Sequence, residues 1–154
     1  MASDNRVPYG LQPSPRIAKL VKQFEGLRLQ SYKDVAGHRT IGWGHLLPPG
    51  PVEVWTKEQA ERVFAKDLAD HARAVDDLVT VPLHQYEFDA LVSFVFNVGS
   101  GAFAKSTMLK MLNQKQYGRV PGQFGRWNKA GGKVVKGLTE RRRIERAIWL
   151  NEPW

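Results

Sequence analysis

Two acidic residues near the start of the chain, Glu25 and Asp34, are nine positions apart, and the hydroxyl residue Thr40 follows six positions later. Breaking an acetal requires a proton donor for the leaving oxygen and a second carboxylate that attacks or activates water. We expect Glu25 to favour its protonated form, because it ends an apolar helix where partial burial and the helix dipole disfavour negative charge. Asp34 lies in a polar, glycine-containing segment and should stay ionised. Thr40 is suited to holding a water molecule beside Asp34. These residue types favour cleavage of a glycosidic bond.

The elements that position these residues follow from periodicity and capping. Ser14 and Pro15 begin a predicted helix that ends near Glu25-Gly26. Glycines and short apolar–polar alternations over residues 29–47 predict a small antiparallel sheet. A capping box over residues 56–59 begins a long helix that runs to about Leu78.

The sequence predicts four further helices in the rest of the chain, and the first of them is the central core helix. These cover residues 85–98, about 106–114, about 121–127 and about 138–150, with a loop at 130–132. The fold class is therefore α+β, a small antiparallel sheet followed by a helical bundle. We expect residues 1–13 to form a flexible arm and residues 14–154 to form one domain of two lobes, linked by the helix at about 56–78.

Composition excludes several classes of function. There is no cysteine, so no thiol nucleophile or thiolate metal site exists. No stretch has the ~20 apolar residues of a membrane span, and we expect no secretory signal in the first residues because they lack an apolar central region. Residues 99–154 carry twelve Lys and Arg against three Asp and Glu, which favours a polyanionic partner. The cluster at Arg141–Arg143 with Arg146 is either a solvated helix face or a binding face for a polyanion, and charge alone does not decide between bacterial wall and nucleic acid.

The histidines divide into two groups. His45 has no clustered partners at metal-ligand spacing, so we expect a hydrogen-bonded structural histidine near a cleft and no metal site. We expect His38, His71 and His84 to lie on the surface.

A longer pattern surrounds the acidic pair. Its first part comprises Glu25-Gly26, Tyr32-Lys33-Asp34, Gly37, and Thr40-Ile41-Gly42-Trp43-Gly44-His45. Its later parts comprise Phe96-Asn97-Val98-Gly99, Ala102-Phe103, the run from Arg126 to Gly132, Gly137-Leu138 and Arg141-Arg142. In this order and over roughly residues 16–150, the chain resembles the phage T4-type lysozymes, endolysins that act on peptidoglycan.

The resemblance implies a lysozyme-like fold with an active-site cleft between the two lobes. It gives Glu25 the role of proton donor, Asp34 that of the second catalytic carboxylate, and Thr40 that of positioning the attacking water. It further implies inversion at the anomeric carbon, with the carboxyl groups roughly 6.5–9.5 Å apart. The bond implied is the β-1,4 bond between N-acetylmuramic acid and N-acetylglucosamine. Leu46, Phe96 and Ser106 are expected to line the saccharide cleft, and no cofactor or metal is implied.

The partners and location expected from this resemblance are those of a lysis enzyme. The partner is bacterial peptidoglycan, with no nucleic acid, and the protein is expected to be a monomer. It would stay in the host cytoplasm until lysis and then reach the periplasm and cell wall through a separate pore-forming lysis protein, a holin. Three alternatives remain open: a lytic transglycosylase, a basic nucleic-acid-binding module and a catalytically inactive wall binder.

Overall fold

The computed structural model describes residues 5–154 of the 154-residue chain. The helices of these residues are α1 (Pro15–Glu25), α2 (Lys57–Leu78), α3 (Gln85–Val98), α4 (Ser100–Ala104), α5 (Thr107–Asn113), α6 (Pro121–Phe124) and α7 (Lys136–Trp149), with a 3₁₀ turn at Tyr117–Arg119. The strands are β1 (Arg28–Lys33), β2 (Arg39–Gly42), β3 (His45–Leu46), β4 (Lys129–Ala130) and β5 (Lys133–Val134).

The small antiparallel sheet predicted from the sequence is confirmed. Its three strands are in the order β1-β2-β3, and Thr40 on the central strand pairs with Tyr32 on one side and Leu46 on the other. Asp34 begins the turn between β1 and β2, where its backbone N–H bonds to the carbonyl of His38 at 2.8 Å.

Helix α3 is the centre of the helical part, as its almost continuous apolar sequence predicts. Every residue from Glu87 to Phe96 is buried, and α7 and α2 pack against it. The apolar stripe of α2 also faces the core, at positions Ala60, Phe64, Leu68, Ala72 and Val75. An all-round apolar helix must be surrounded by others, which is why it lies in the middle of the bundle.

Helix α2 contacts both parts of the molecule. It packs against β2 and β3 as well as against α3 and α4. Its N-terminus has the predicted capping box: the Thr56 hydroxyl accepts the Gln59 N–H, and the Gln59 side chain accepts the Thr56 N–H. Helix α2 therefore connects the sheet to the helical part and has a well-fixed start.

Helix α4 and the strands β4 and β5 have no counterpart in the prediction, and α6 is shorter than predicted. Helix α6 ends at Phe124, before the predicted end near 127, because the chain then forms tight turns in which Arg126 and Trp127 bond to the carbonyls of Gln123 and Phe124. The predicted loop at 130–132 is the turn of the β4–β5 hairpin. Gly131 and Gly132 both have positive φ, as a two-residue hairpin turn of this type requires.

The N-terminal segment lies against the helical part where the sequence predicts a flexible arm. Val7 and Leu83 exchange backbone hydrogen bonds at 2.7 and 2.9 Å, and the Arg6 guanidinium contacts the buried Glu87 carboxylate at 2.9 Å. The Gly10 N–H bonds to Asp76 at 3.1 Å. These contacts fix residues 5–13, because backbone pairing and a partly buried ion pair replace contacts with water; residues 1–4 of the arm lie outside the described part of the chain.

Candidate active site

A cavity of about 550 Å³ lies where the sheet faces the helices. Its walls include five of the six predicted site residues: Glu25, Asp34, Thr40, Leu46 and Phe96. They come from the end of α1, the β1–β2 turn, β2, β3 and the last turns of α3. Five separate elements therefore meet at one cavity.

Ser106, the sixth predicted residue, does not line this cavity. It is buried at the start of α5, where its hydroxyl donates to the Phe103 carbonyl at 2.7 Å and accepts the Leu109 N–H at 3.1 Å. Its position before a short apolar helix makes it an N-cap. The structure therefore does not bring Ser106 to this cavity, and capping occupies its side chain.

Glu25 is the last residue of α1, and its side chain is 17% exposed. Its Oε2 accepts a hydrogen bond from Arg141 Nη1 at 2.7 Å, across 116 positions of sequence. The neighbouring backbone at Gly44 lies so close that an added Cβ would be 2.8 Å from Glu25 Cδ. Glu25 is thus held between a cation of α7 and a glycine of the sheet lobe.

Asp34 is held by its own turn. Its Oδ1 accepts the backbone N–H groups of Ala36 at 3.0 Å and His38 at 2.8 Å, and its Oδ2 lies 3.4 Å from His38 Nδ1. The Asp34 side chain is 32% exposed. Backbone donors satisfy the ionised form of a carboxylate without a buried counter-charge.

Thr40 is 4% exposed and lies on the central strand of the sheet. Its hydroxyl donates to the His38 carbonyl at 3.1 Å. With its hydrogen committed in this way, Oγ1 offers its lone pairs to any donor in the cavity. The turn that orients Asp34 therefore also orients Thr40.

A buried ionic network stands behind Glu25. Arg142 and Glu145 are 1% and 0% exposed and form an ion pair, and Arg141 Nε bonds to the same Glu145 at 3.2 Å. Glu145 also accepts from the Ser93 hydroxyl at 2.6 Å. Burial lowers the pKa of Arg142 from its ordinary value, and the Glu145 carboxylate acts in the opposite direction. All these groups are paired, as buried charges require.

The prediction that the arginine cluster of α7 forms a solvated or polyanion-binding face is wrong for Arg141 and Arg142. Only Arg143 of these three is exposed, at 61% of its side chain, and it pairs with Glu140. The sequence does contain a pattern that indicates the burial of Arg141 and Glu145. Arg141, Glu145 and Ile148 follow helical spacing and share one face, and Ile148 is apolar.

The histidines also divide differently from the prediction. His45 Nδ1 lies 2.7 Å from Asp67 Oδ2, which confirms a hydrogen-bonded structural histidine at the cleft. His71 lines the cavity and packs on Phe96 with ring centroids 4.9 Å apart, so its predicted surface position is wrong. It follows the buried Leu68 by three positions, which places it beside the apolar stripe of α2.

Two absences hold over residues 5–154. Within that range no three His, Asp or Glu side chains are grouped closely enough to hold a metal ion. Over the same residues, no helix combines the length and the apolar character that crossing a membrane requires.

Solved structures place this architecture in the lysozyme-like fold class. The muramidase domain of SpmX from Asticaccaulis excentricus superposes with a TM-score of 0.80 at 34% identity, over 92% of this chain and 99% of that one. The endolysin from Escherichia coli O157:H7 phage FAHEc1 gives a TM-score of 0.80 at 35% identity, over 96% of this chain and 100% of that one. The predicted α+β, lysozyme-like fold with a small sheet and a helical bundle is confirmed.

Sequence comparison then identifies the family. The model of the family described as Phage lysozyme matches residues 22–145, and the chain belongs to that family. The endolysin of Salmonella phage P22 is 41% identical over 139 residues, covering 85% of this chain and 92% of that protein. The endolysin of Bacillus phage B103 is 43% identical over 134 residues, covering 85% of this chain and 51% of that protein. The chain thus spans about half the length of the B103 relative.

Proposed function

We propose that the protein is a phage endolysin that hydrolyses peptidoglycan during lysis of the host, at the β-1,4 bond between N-acetylmuramic acid and N-acetylglucosamine. The observation that carries this proposal is the convergence of Glu25, Asp34 and Thr40 on one cavity in a member of the phage lysozyme family. Glycosidic hydrolysis uses two carboxyl groups that flank the bond to be cleaved.

In this proposal Glu25 is the general acid. Its Oε2 is bonded to Arg141, so Oε1 is the oxygen left to carry a proton. That proton is transferred to the glycosidic oxygen as the bond to the anomeric carbon breaks. The missing side chain at Gly44 leaves room for a sugar beside the carboxyl group.

Asp34 and Thr40 act on the other side of the sugar. A water molecule donates one hydrogen to Asp34 Oδ2 and the other to Thr40 Oγ1, whose own hydrogen is engaged by the His38 carbonyl. The water oxygen then attacks the anomeric carbon while Asp34 accepts a proton, and Glu25 has given one to the leaving sugar. Attack on the face opposite the leaving group inverts the anomeric configuration.

We also propose where the reaction takes place. The substrate is the host's cell wall, reached at the end of infection, and no cofactor, metal or nucleic acid takes part in the steps above. Exposed cations of the C-terminal third, Lys129 and Lys133 on the β4–β5 hairpin among them, favour approach to an anionic wall. The protein is proposed to act as a monomer.

The experiment that tests this function is clearing of purified cell walls by the wild type, Glu25→Gln and Asp34→Asn. General acid and base groups contribute about 10²–10⁴-fold, so each variant should clear walls at least about 100-fold more slowly. The control is Glu61→Gln, which makes the same chemical change at a surface glutamate paired with Lys22 and should stay within about two-fold of wild type.

The fragments decide among the alternatives. Fragments that end in reducing muramic acid support hydrolysis, whereas anhydro sugars would show a lytic transglycosylase. Wild-type rates in Glu25→Gln would contradict the proposed mechanism. Absence of clearing by every variant, with tight salt-sensitive binding to DNA, would indicate a nucleic-acid-binding module. Absence of clearing with wall binding unchanged by Glu25→Gln would indicate an inactive wall binder.

A further inference from the structure

The cavity contains an imidazole to which the proposed mechanism assigns no role. His71, on α2, lines the same cavity as Glu25 and Asp34. Its ring packs on Phe96, with centroids 4.9 Å apart and planes inclined by 43°. The side chain is therefore confined in position before any ligand enters.

The hydrogen bonding of His71 fixes its tautomer. Nδ1 lies 2.7 Å from the backbone carbonyl of Asp67, one turn earlier on α2. A carbonyl oxygen can only accept, so Nδ1 must carry the hydrogen, and in the neutral ring Nε2 then has a free lone pair.

Nε2 is open to a ligand. Among the described residues, the only side-chain polar atom that is both buried and without a partner is Arg39 Nε. No described residue bonds to His71 Nε2, so this nitrogen must be accessible to the cavity. A fixed acceptor in a sugar-sized cavity is suited to a hydroxyl or an acetamido N–H.

Among the described residues, no hydrogen bond joins His71 to Glu25, Asp34 or Thr40. Gly44 lies against Glu25, the next residue His45 is bonded to Asp67, and the carbonyl of Asp67 is bonded to His71. His71 is therefore connected to the acid only through a series of intermediate contacts that runs from the sheet to α2. A group here would contact a neighbouring sugar rather than the atoms that react.

We propose that His71 is a substrate-binding residue that accepts a hydrogen bond from an N-acetylhexosamine unit next to the cleaved bond, with Phe96 as the apolar floor of that subsite. This inference rests on the proposed function. It gives His71, which is not one of the three residues of the proposed mechanism, the role of a hydrogen-bond acceptor for an amino sugar.

Three substitutions separate binding from packing. His71→Phe keeps a ring against Phe96 but has no acceptor, and His71→Asn can still donate to the Asp67 carbonyl but is too short to reach the ligand. His71→Gln places an amide near the position of Nε2. Asp70→Asn, at the exposed neighbouring position of α2, is the matched control.

The measurement is steady-state cleavage of soluble, uncross-linked glycan strands, with thermal unfolding of each variant. Loss of one hydrogen bond predicts a KM about 3- to 10-fold higher for His71→Phe and His71→Asn, with kcat within about two-fold. His71→Gln should recover most of the wild-type KM. Wild-type KM in both of the first two variants, or a fall in kcat alone, would overturn the inference. Failure of the wild type to cleave would instead overturn the proposed function on which it rests.

A binding experiment tests whether the ligand is the sugar or the stem peptide. Glu25→Gln and the double variant Glu25→Gln/His71→Phe are compared on intact glycan strands and on strands stripped of peptide by an amidase. A sugar contact predicts that the double variant binds both about 3- to 10-fold more weakly. Weakening on the intact strands alone would assign the contact to the stem peptide and overturn the sugar assignment.

Discussion

Glu25 and Asp34 line one cavity but are held in place by different parts of the chain. Glu25 is fixed by a guanidinium of α7, Arg141, which belongs to a buried network with Glu145 and Arg142. Asp34 is fixed by backbone N–H groups two and four positions further along its own turn. One carboxylate depends on the packing of the whole helical bundle, and the other on a single turn.

This difference has energetic consequences. Removing one partner of a buried ion pair leaves an uncompensated charge, whereas a turn at the surface can exchange lost hydrogen bonds with water. Damage to the support of Glu25 should therefore destabilise the whole protein, and damage to the support of Asp34 should stay local.

The largest effect is expected from Arg141→Met, because this change removes a buried guanidinium that bonds to both Glu25 and Glu145. The free energy of unfolding should fall by about 3–5 kcal/mol, measured by urea denaturation. Arg143→Met, two positions along the same helix and exposed, is the control and should change stability by less than about 0.5 kcal/mol. Equal effects of the two changes would contradict the role given to the buried network.

Gly44→Ala should have the next largest effect. The position has φ +73°, and an added Cβ would lie 2.8 Å from Glu25 Cδ. Strained backbone costs about 1–2 kcal/mol, and displacement of Glu25 adds to it and lowers activity by at least about ten-fold. Gly132→Ala, on the β4–β5 hairpin and not in the cavity lining, has φ +78° with open space around it, so it measures the cost of backbone strain alone. Activity should separate the two variants, and equal activity would argue against crowding at Glu25.

A smaller effect is expected at Asp34. In Asp34→Asn the amide oxygen can still accept the N–H groups of Ala36 and His38, so stability should change by less than about 1 kcal/mol. Asp34→Ala loses both bonds and should cost about 0.5–1.5 kcal/mol more. Thermal unfolding of the two variants measures the difference. A loss as large as that of Arg141→Met would remove the contrast between the two carboxylates.

The smallest effect is expected for Lys66 and Asp70, an exposed ion pair on α2 that supports neither catalytic carboxyl group. The hydrogen bond from Lys66 lowers the pKa of Asp70, and the same bond raises the pKa of Lys66. Because the pKa of Asp70 is lowered, the pair contributes stability above about pH 4 and loses it in acid, when Asp70 becomes protonated. Because the pKa of Lys66 is raised, the contribution is also present below about pH 10 and is lost at higher pH, when Lys66 loses its proton. Asp70→Asn should lower Tm slightly at pH 7 and not at pH 2. A larger difference at pH 2 would contradict the sign of the shift.

The same comparison explains which features were predictable. The sheet turn, the capping box of α2 and the support of Asp34 depend on residues close together in sequence, and their glycines, hydroxyls and spacing indicate them. Arg141 acts on Glu25 across 116 positions, and no local pattern shows such a partner. The sequence therefore predicts which residues form the acidic pair better than it predicts what holds Glu25.

The surroundings of Ser106 and His71 could not be predicted from the sequence either. The resemblance places Ser106 in the cleft, but its local role as a helix cap occupies the hydroxyl. The sequence predicts a surface position for His71, but its ring packs on Phe96 and lines the cavity. In each case the side chain's surroundings depend on how helices pack, which helical spacing only partly determines.

The central claim is that Glu25 donates a proton on one side of the sugar while Asp34 and Thr40 direct water to the other. Proton NMR of the first reducing ends released from soluble glycan strands tests it most directly, because it reads the anomeric configuration before mutarotation. The account predicts that cleavage of the β-linked strand first gives the α-anomer. First appearance of the β-anomer, or of an anhydro sugar without a reducing end, would contradict it.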